Sequence, residues 1–322
     1  MIIANPIYDT VFKRLMENRR IAQFFVQTLI GEQVDEIAVV PQEYTYKKIR
    51  TKRKKIEGRD EEIKEEIFSI IRFDFVATIR TEQGEHKKVL IEIQKSRKPT
   101  DLIRFRTYLG EQYQRVDVVN VKNKTVEKAL PIVCIYLLGF TIPKYNTPSV
   151  RVNRKCWDMI TQKEIKHKSD LIEALTHDGY FVQIPRIQGK PHTLLEKMLS
   201  VFEQEYFIDE KNIVKIYDHS VDNDIIREMI EILRHTAADP KERRSLEAEW
   251  LALKDEEEFE KMREAISSLQ QENADKDITI ADKEIAIADK NKTIADKDKT
   301  IADKDKIIAD LQRKLQKTNK TQ

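Results

Sequence analysis

Apolar residues first recur at helical spacing at Tyr8, Phe12, Leu15 and Met16. Asn5-Pro6 ahead of them reads as a helix start, with Asn5 as N-cap and Pro6 at the first helical position. A second helical pattern carries Ile21, Phe24, Phe25, Val26 and Leu29, and Gly31 marks its end. Strands are predicted over 34–40 and 42–47. Residues 47–66 are almost all charged and show no apolar period, which predicts a solvated insertion. Alternation returns at 68–80 and again at 88–94, with a turn over 81–85 between them. Pro99 opens a helix carrying Leu102, Phe105, Leu109, Tyr113 and Val116. The fully apolar run 131–140 fits a strand at the centre of a sheet. Residues 141–240 mix short strands with helices at 192–206 and 221–235. This order predicts an α/β fold, a mixed sheet flanked by helices.

From about Lys261 the pattern changes to a polar helix. Three near-identical blocks, IADKNKT, IADKDKT and IADKDKI, occupy 287–307, and Ile recurs at 280, 287, 294, 301 and 308 before Leu315. A period of seven is the coiled-coil repeat. With Ile at position a, Lys283, Lys290, Lys297 and Lys304 fall at d, a weak seam. The chain therefore divides into a domain at 1–240 with its core at 4–140, a helical linker at 241–260 and a heptad tail at 261–322.

Lys+Arg and Asp+Glu number 58 and 56, so net charge does not argue for a polyanionic partner, and any such surface has to come from local clustering. Cys134 and Cys156 lack metal-ligand spacing; Cys134 sits in an apolar run as a core residue. The six histidines show no metal-binding spacing, and no glycine-rich phosphate loop is present. No signal peptide or membrane-length apolar run is seen, so the expectation is a cytoplasmic protein without a membrane partner.

The hairpin 72–94 carries the candidate chemistry. A turn centred on Gln83 makes cross-strand partners sum to 166, pairing Asp74 with Glu92 and Arg72 with Gln94. Asp74, Glu92 and Gln94 then share one face, with directly opposed Cβ atoms roughly 4.5–5.5 Å apart. Two carboxylates at that spacing, each embedded in an apolar strand, suit a hard divalent cation. The alternative is a pair of solvent-facing acids on a half-exposed sheet.

Arg72-Phe73-Asp74-Phe75-Val76 followed by Leu90-Ile91-Glu92-Ile93-Gln94-Lys95 resembles the PD-(D/E)XK nuclease superfamily. Within it, Asn5-Pro6-Ile7-Tyr8-Asp9-Thr10-Val11-Phe12-Lys13 and 104–113 are similar to the recombination-promoting nuclease family, also labelled a transposase family. The resemblance covers about 4–140 and continues loosely to about 240. It implies a restriction-endonuclease-like fold and a DNA endonuclease that uses Mg²⁺ (or Mn²⁺) held by Asp74 and Glu92. The family's lysine position holds Gln94 here, as in related members. Lys95 faces the other way on a regular strand and could substitute only if the strand bulges. Asp9 would be a further carboxylate at the metal, or the partner of Lys13 four residues on. Arg97, Lys98, Arg104 and Arg106, together with Lys95, form a basic cluster suited to DNA backbone contacts of low sequence specificity. Two other readings stand beside this one: a DNA-binding module whose chemistry is weakened through Gln94, and an interaction protein that forms homo-oligomers through its tail.

Overall fold

The sheet is built around β9, and the reason is visible in its sequence: Ile132–Leu138 is buried at every position but Tyr136. The structure, a computed structural model, describes residues 1–39, 44–56, 59–71, 75–95, 99–121 and 124–318; for 44–56, 59–71, 99–101, 104, 256–257, 260 and 313–318 it describes the backbone alone. The chain opens with β1 (Ile2–Ala4), α1 (Asp9–Met16), α2 (Arg19–Ile30), β2 (Val34–Val39), β3 (Tyr44–Ile56) and β4 (Arg59–Ile71). Then follow β5 (Phe75–Thr81), β6 (His86–Gln94), α3 (Pro99–Tyr113), β7 (Asp117–Val121), β8 (Lys124–Lys128) and β9. Beyond them lie β10 (Ser149–Val152), β11 (Cys156–Trp157), β12 (Glu164–Ile165), α4 (Asp170–Leu175), β13 (His177–Gln183) and α5 (Leu194–Leu199). The last elements are β14 (Val214–Ile216), α6 (Asp224–Ala238) and α7 (Pro240–Thr318).

Six strands form a mixed sheet in the order β10-β13-β9-β6-β5-β2. β13, β9 and β6 are parallel, while β5, β2 and β10 join antiparallel. Side chains alternate between the faces. One face carries Val76, Leu90 and Cys134, against which Phe105, Tyr108, Leu109 and Tyr113 of α3 pack. The other carries the row Phe75, Ile91, Ile135, Tyr180. There the Tyr180 hydroxyl donates to the carbonyl of Ile30 at the end of α2, at 3.2 Å. Phe12, Phe25 and Phe202 join α1, α2 and the turn after α5 through ring centroids 5.7–6.4 Å apart.

Several predicted boundaries shift. Asn5 does not cap α1, which starts at Asp9 with Tyr8 at the N-cap. Residues 2–4 are drawn into a strand with β14. The Asn5 amide is spent on Gln204 and the Asn212 carbonyl, and its Oδ1 accepts the Ile7 N–H. Of the strand predicted at 68–80, residues 68–71 lie in β4, which pairs with β3, and residues 75–80 lie in β5, which pairs with β6 and β2; residues 72–74 are outside the described residues. The stretch predicted as a solvated insertion lies mostly in the two-stranded β3–β4 ribbon, where Arg50 is the register partner of Glu65 and Arg53 of Glu62. Gly31 ends α2 as expected, in the left-handed region at φ 70° that glycine adopts without strain.

The chain forms two units, Met1–Leu251 and Ala252–Gln322. Residues 241–251 of α7, predicted as linker, therefore belong to the first unit, and Leu246 among them is fully buried. The second unit is the remainder of α7, continuously helical to Thr318. No helix among the described residues is long and apolar enough to cross a membrane.

Candidate active site

The hairpin has the register its alternation predicts. Phe75 pairs with Ile91, Val76 with Leu90 and Arg80 with His86, so every pair is symmetric about Gln83. Gly84 makes the turn possible at φ 79°, where its N–H donates to the Thr81 carbonyl at 2.8 Å. Asp74, the next position in that count, lies outside the described residues, as do Arg97 and Lys98.

Glu92 occupies the same sheet row as Tyr136 and Phe181. It is only 4% exposed, on a strand whose other residues from 89 to 93 are apolar. The Tyr136 ring stacks on Phe181 at 4.6 Å and 7°, and meets Phe105 of α3 at 4.3 Å. An aromatic wall thus stands beside the carboxylate. Burial foremost, then Cys134, and to a lesser extent the charge of Glu92, push the Tyr136 phenol well above its ordinary value, so it stays protonated. Burial likewise pushes the Cys134 thiol up to about 12, which removes it as a nucleophile near neutrality and leaves it the core residue the sequence implied.

Gln94 ends β6, half-buried beside Leu138. Its carbonyl accepts the Gly139 N–H at 2.7 Å. A Cβ on Gly139 would stand 2.5 Å from the Lys95 carbonyl oxygen, so only glycine allows this approach.

Lys95 leads to a group of residues the sequence did not single out. Its Nζ lies 2.5 Å from Glu249 Oε1 and 4.6 Å from the centroid of the Tyr8 ring. Glu249 also accepts the backbone N–H groups of Asp9 at 2.8 Å and Thr10 at 3.1 Å, and the Thr10 hydroxyl at 2.9 Å. The first N–H groups of a helix have no intrahelical acceptor and carry partial positive charge. Tyr8 makes no side-chain cap, so a carboxylate from α7 does that work for α1. Burial raises the Glu249 carboxyl, but the Lys95 ammonium and the two backbone donors outweigh it and hold the pKa below the ordinary value.

Asp9 forms the i,i+4 pair with Lys13 at 2.6 Å, through Oδ2. Its other oxygen, Oδ1, is buried with no hydrogen-bond partner. Arg106 is exposed on α3, and Arg104 is described through its backbone only. The end of β6 and the start of α1 therefore gather Lys95, Tyr8, Asp9 and Glu249, whereas Glu92 belongs to the sheet row of Tyr136 and Phe181. Among the described residues, no group of three His, Cys, Asp or Glu side chains is arranged to hold a metal ion. Sequence reasoning missed Glu249 because Glu-Ala-Glu-Trp in a polar helix carries no mark distinguishing it from a solvated face.

Comparison with protein-family models, with curated proteins and with solved structures finds no match.

Proposed function

We propose that the first unit is a restriction-endonuclease-like, divalent-metal-dependent DNA endonuclease. The observation that carries this reading is Glu92, a carboxylate 4% exposed within an apolar strand, which the count about Gln83 along the sequence would pair with Asp74. Asp9 Oδ1, buried with no hydrogen-bond partner, is a further oxygen of the kind hard cations take. This donor chemistry fits Mg²⁺ or Mn²⁺, with Asp74 and Glu92 as the residues that would hold it and Asp9 as a further contributor. When bound, such an ion lowers the pKa of a water and offsets negative charge on a phosphodiester.

The protein's own groups do the rest. The Gln94 amide can orient a water or a phosphate oxygen, although it cannot supply positive charge. The aromatic wall of Tyr136, Phe181 and Phe105 excludes water from one side of Glu92 and keeps the local dielectric low. Lys95, Arg97, Lys98, Arg104 and Arg106 would bind DNA phosphates without reading sequence.

One observation favours the second reading, a DNA-binding module with weakened chemistry. Lys95, the cation nearest the superfamily's lysine position, is already neutralised by Glu249. Nicking of supercoiled plasmid in Mg²⁺ separates the two. The endonuclease reading expects nicking that is lost on chelation and in Glu92→Gln, with the melting temperature retained. Salt-dependent DNA binding with no nicking, equal in wild type and Glu92→Gln, would establish the binding module instead.

A further inference from the structure

The seven-residue period of α7 extends further than its repeated blocks. Counting back from Ile280 in sevens reaches Asn273, Ile266 and Phe259, and counting forward reaches Ile308 and Leu315. Phe259, Ile266, Ile280, Ile287, Ile294, Ile301 and Ile308 are each 51–71% exposed. At the following d positions the ends are apolar, with Met262 and Leu269 at one and Leu311 at the other. Lysine fills d only in the middle, at 276, 283, 290, 297 and 304.

A straight α-helix drifts about 20° per heptad against a strict period of seven, or about 160° over these eight repeats. On a lone helix the apolar stripe would wind nearly halfway round, and nothing would keep it in one line. A period held this strictly fits a helix that supercoils about a partner. Charge names that partner. In a parallel pair of identical helices, each d side chain sits beside position e of the other strand. Position e is Asp277, Glu284, Asp298 and Asp305, next to the d lysines 276, 283, 297 and 304. The lysines that weaken an apolar seam would thus meet carboxylates on a second copy of this chain.

Orientation follows from Asn273. A single asparagine at a specifies register and a two-stranded state, because opposed asparagines satisfy each other. In a parallel, in-register pair Asn273 faces Asn273. An antiparallel pair over 259–315 would set it near Ile301 and leave its amide unsatisfied. β-Branched Ile at a also favours two strands.

We propose that residues 259–315 form a parallel, in-register, two-stranded coiled coil with a second copy of this chain, pinned at Asn273 and closed by apolar layers at both ends. The coil is about 84 Å long.

The test uses the full chain with Cys156→Ser, Cys134 being buried. Sedimentation equilibrium at about ten micromolar is expected to give twice the chain mass of 38.0 kDa. Separate Ile266→Cys and Ile308→Cys variants should each form disulfide-linked homodimers on mild oxidation. A monomer, or cross-linking only when the two variants are mixed, overturns the parallel pair. Asn273→Leu should associate more tightly but yield species larger than a dimer; a strict dimer would remove the role given to Asn273. Glu284→Lys combined with Asp298→Lys should weaken dimerisation tenfold or more, and an unchanged dissociation constant would overturn the lysine–carboxylate pairing. None of these readouts depends on nuclease activity.

Discussion

Glu249 Oε1 and Lys95 Nζ meet at 2.5 Å across 154 residues of chain, tying the end of β6 to α7 while the same carboxylate caps α1. Both side chains are mostly buried, at 17% and 23% exposure. Removing one partner from such a pair leaves the other charge uncompensated. Glu249→Ala is expected to lower stability by about 2 kcal/mol, the combined scale of a lost charged hydrogen bond and a lost helix cap, measured by urea denaturation. Because the folded pKa lies below the ordinary 4.5, this contribution is complete above pH 4.5 and disappears as pH falls through the depressed value. The difference between wild type and variant should therefore shrink on acidification below 4.5.

Gly139→Ala places a methyl group against the Lys95 carbonyl. Backbone on both sides leaves little room to relax, and overpacking of this kind costs about 1–3 kcal/mol. A lowered melting temperature together with reduced DNA nicking is the expected result. A variant as stable as wild type would show that β6 and β9 separate here at no cost.

Gln94→Lys restores the cation that the PD-(D/E)XK pattern has at this position. Nicking of plasmid DNA is expected to be retained or increased at unchanged stability. Complete loss of nicking in a folded variant would assign the amide a specific role in positioning water or phosphate.

The hairpin register was legible in the sequence because three signals agree there: alternation on both sides, a glycine in the turn and an apolar central strand to follow. α2 was legible from its helical apolar period and from Gly31 at its end, whereas the cap that Asn18 supplies at its start was not read from the sequence. The start of α1 was misread because Asn5-Pro6 carries a strong local signal that a distant partner overrides. β14 lies more than 200 residues away and captures residues 2–4 as a strand. Glu249 was invisible for a related reason: the N–H donors it accepts from and its lysine are defined only once the chain has folded back. Of the candidate site, Glu92 and Gln94 were read from pattern alone, whereas the surroundings of Lys95 depend on tertiary structure.

Lys215 on β14 is 1% exposed, and its ammonium donates to the Glu203 carbonyl. Burial lowers its pKa from 10.5 to about 7, with Glu203 pulling weakly the other way. Between those values the unfolded chain holds a proton that the folded chain does not, so this group makes stability rise with pH from about 7 towards 10.5. Denaturation midpoints at pH 7 and pH 9.5 should show a smaller rise in Lys215→Met than in wild type. An equal rise in both would mean that Lys215 stays charged in the fold.

Two truncations separate the parts of α7. Ending the chain after Asp255 should leave the melting temperature of the first unit within a few degrees of the full chain. Ending it after Asp239 removes Glu249 and the fully buried Leu246, and should lower the melting temperature substantially or prevent folding. Equal stability of the two truncations would contradict the unit boundary at Leu251.

The near-identical blocks at 287–307 also make α7 a ruler graduated in whole units. Gain or loss of one block shifts everything beyond it by about 10.5 Å along the axis and leaves every remaining residue in its heptad position. Slippage of a repeated coding sequence would then alter reach alone, in discrete steps, with no folding defect for selection to remove. Chains that differ only in block number would keep the same first unit and the same heptad pattern, and differ in the length of the helix.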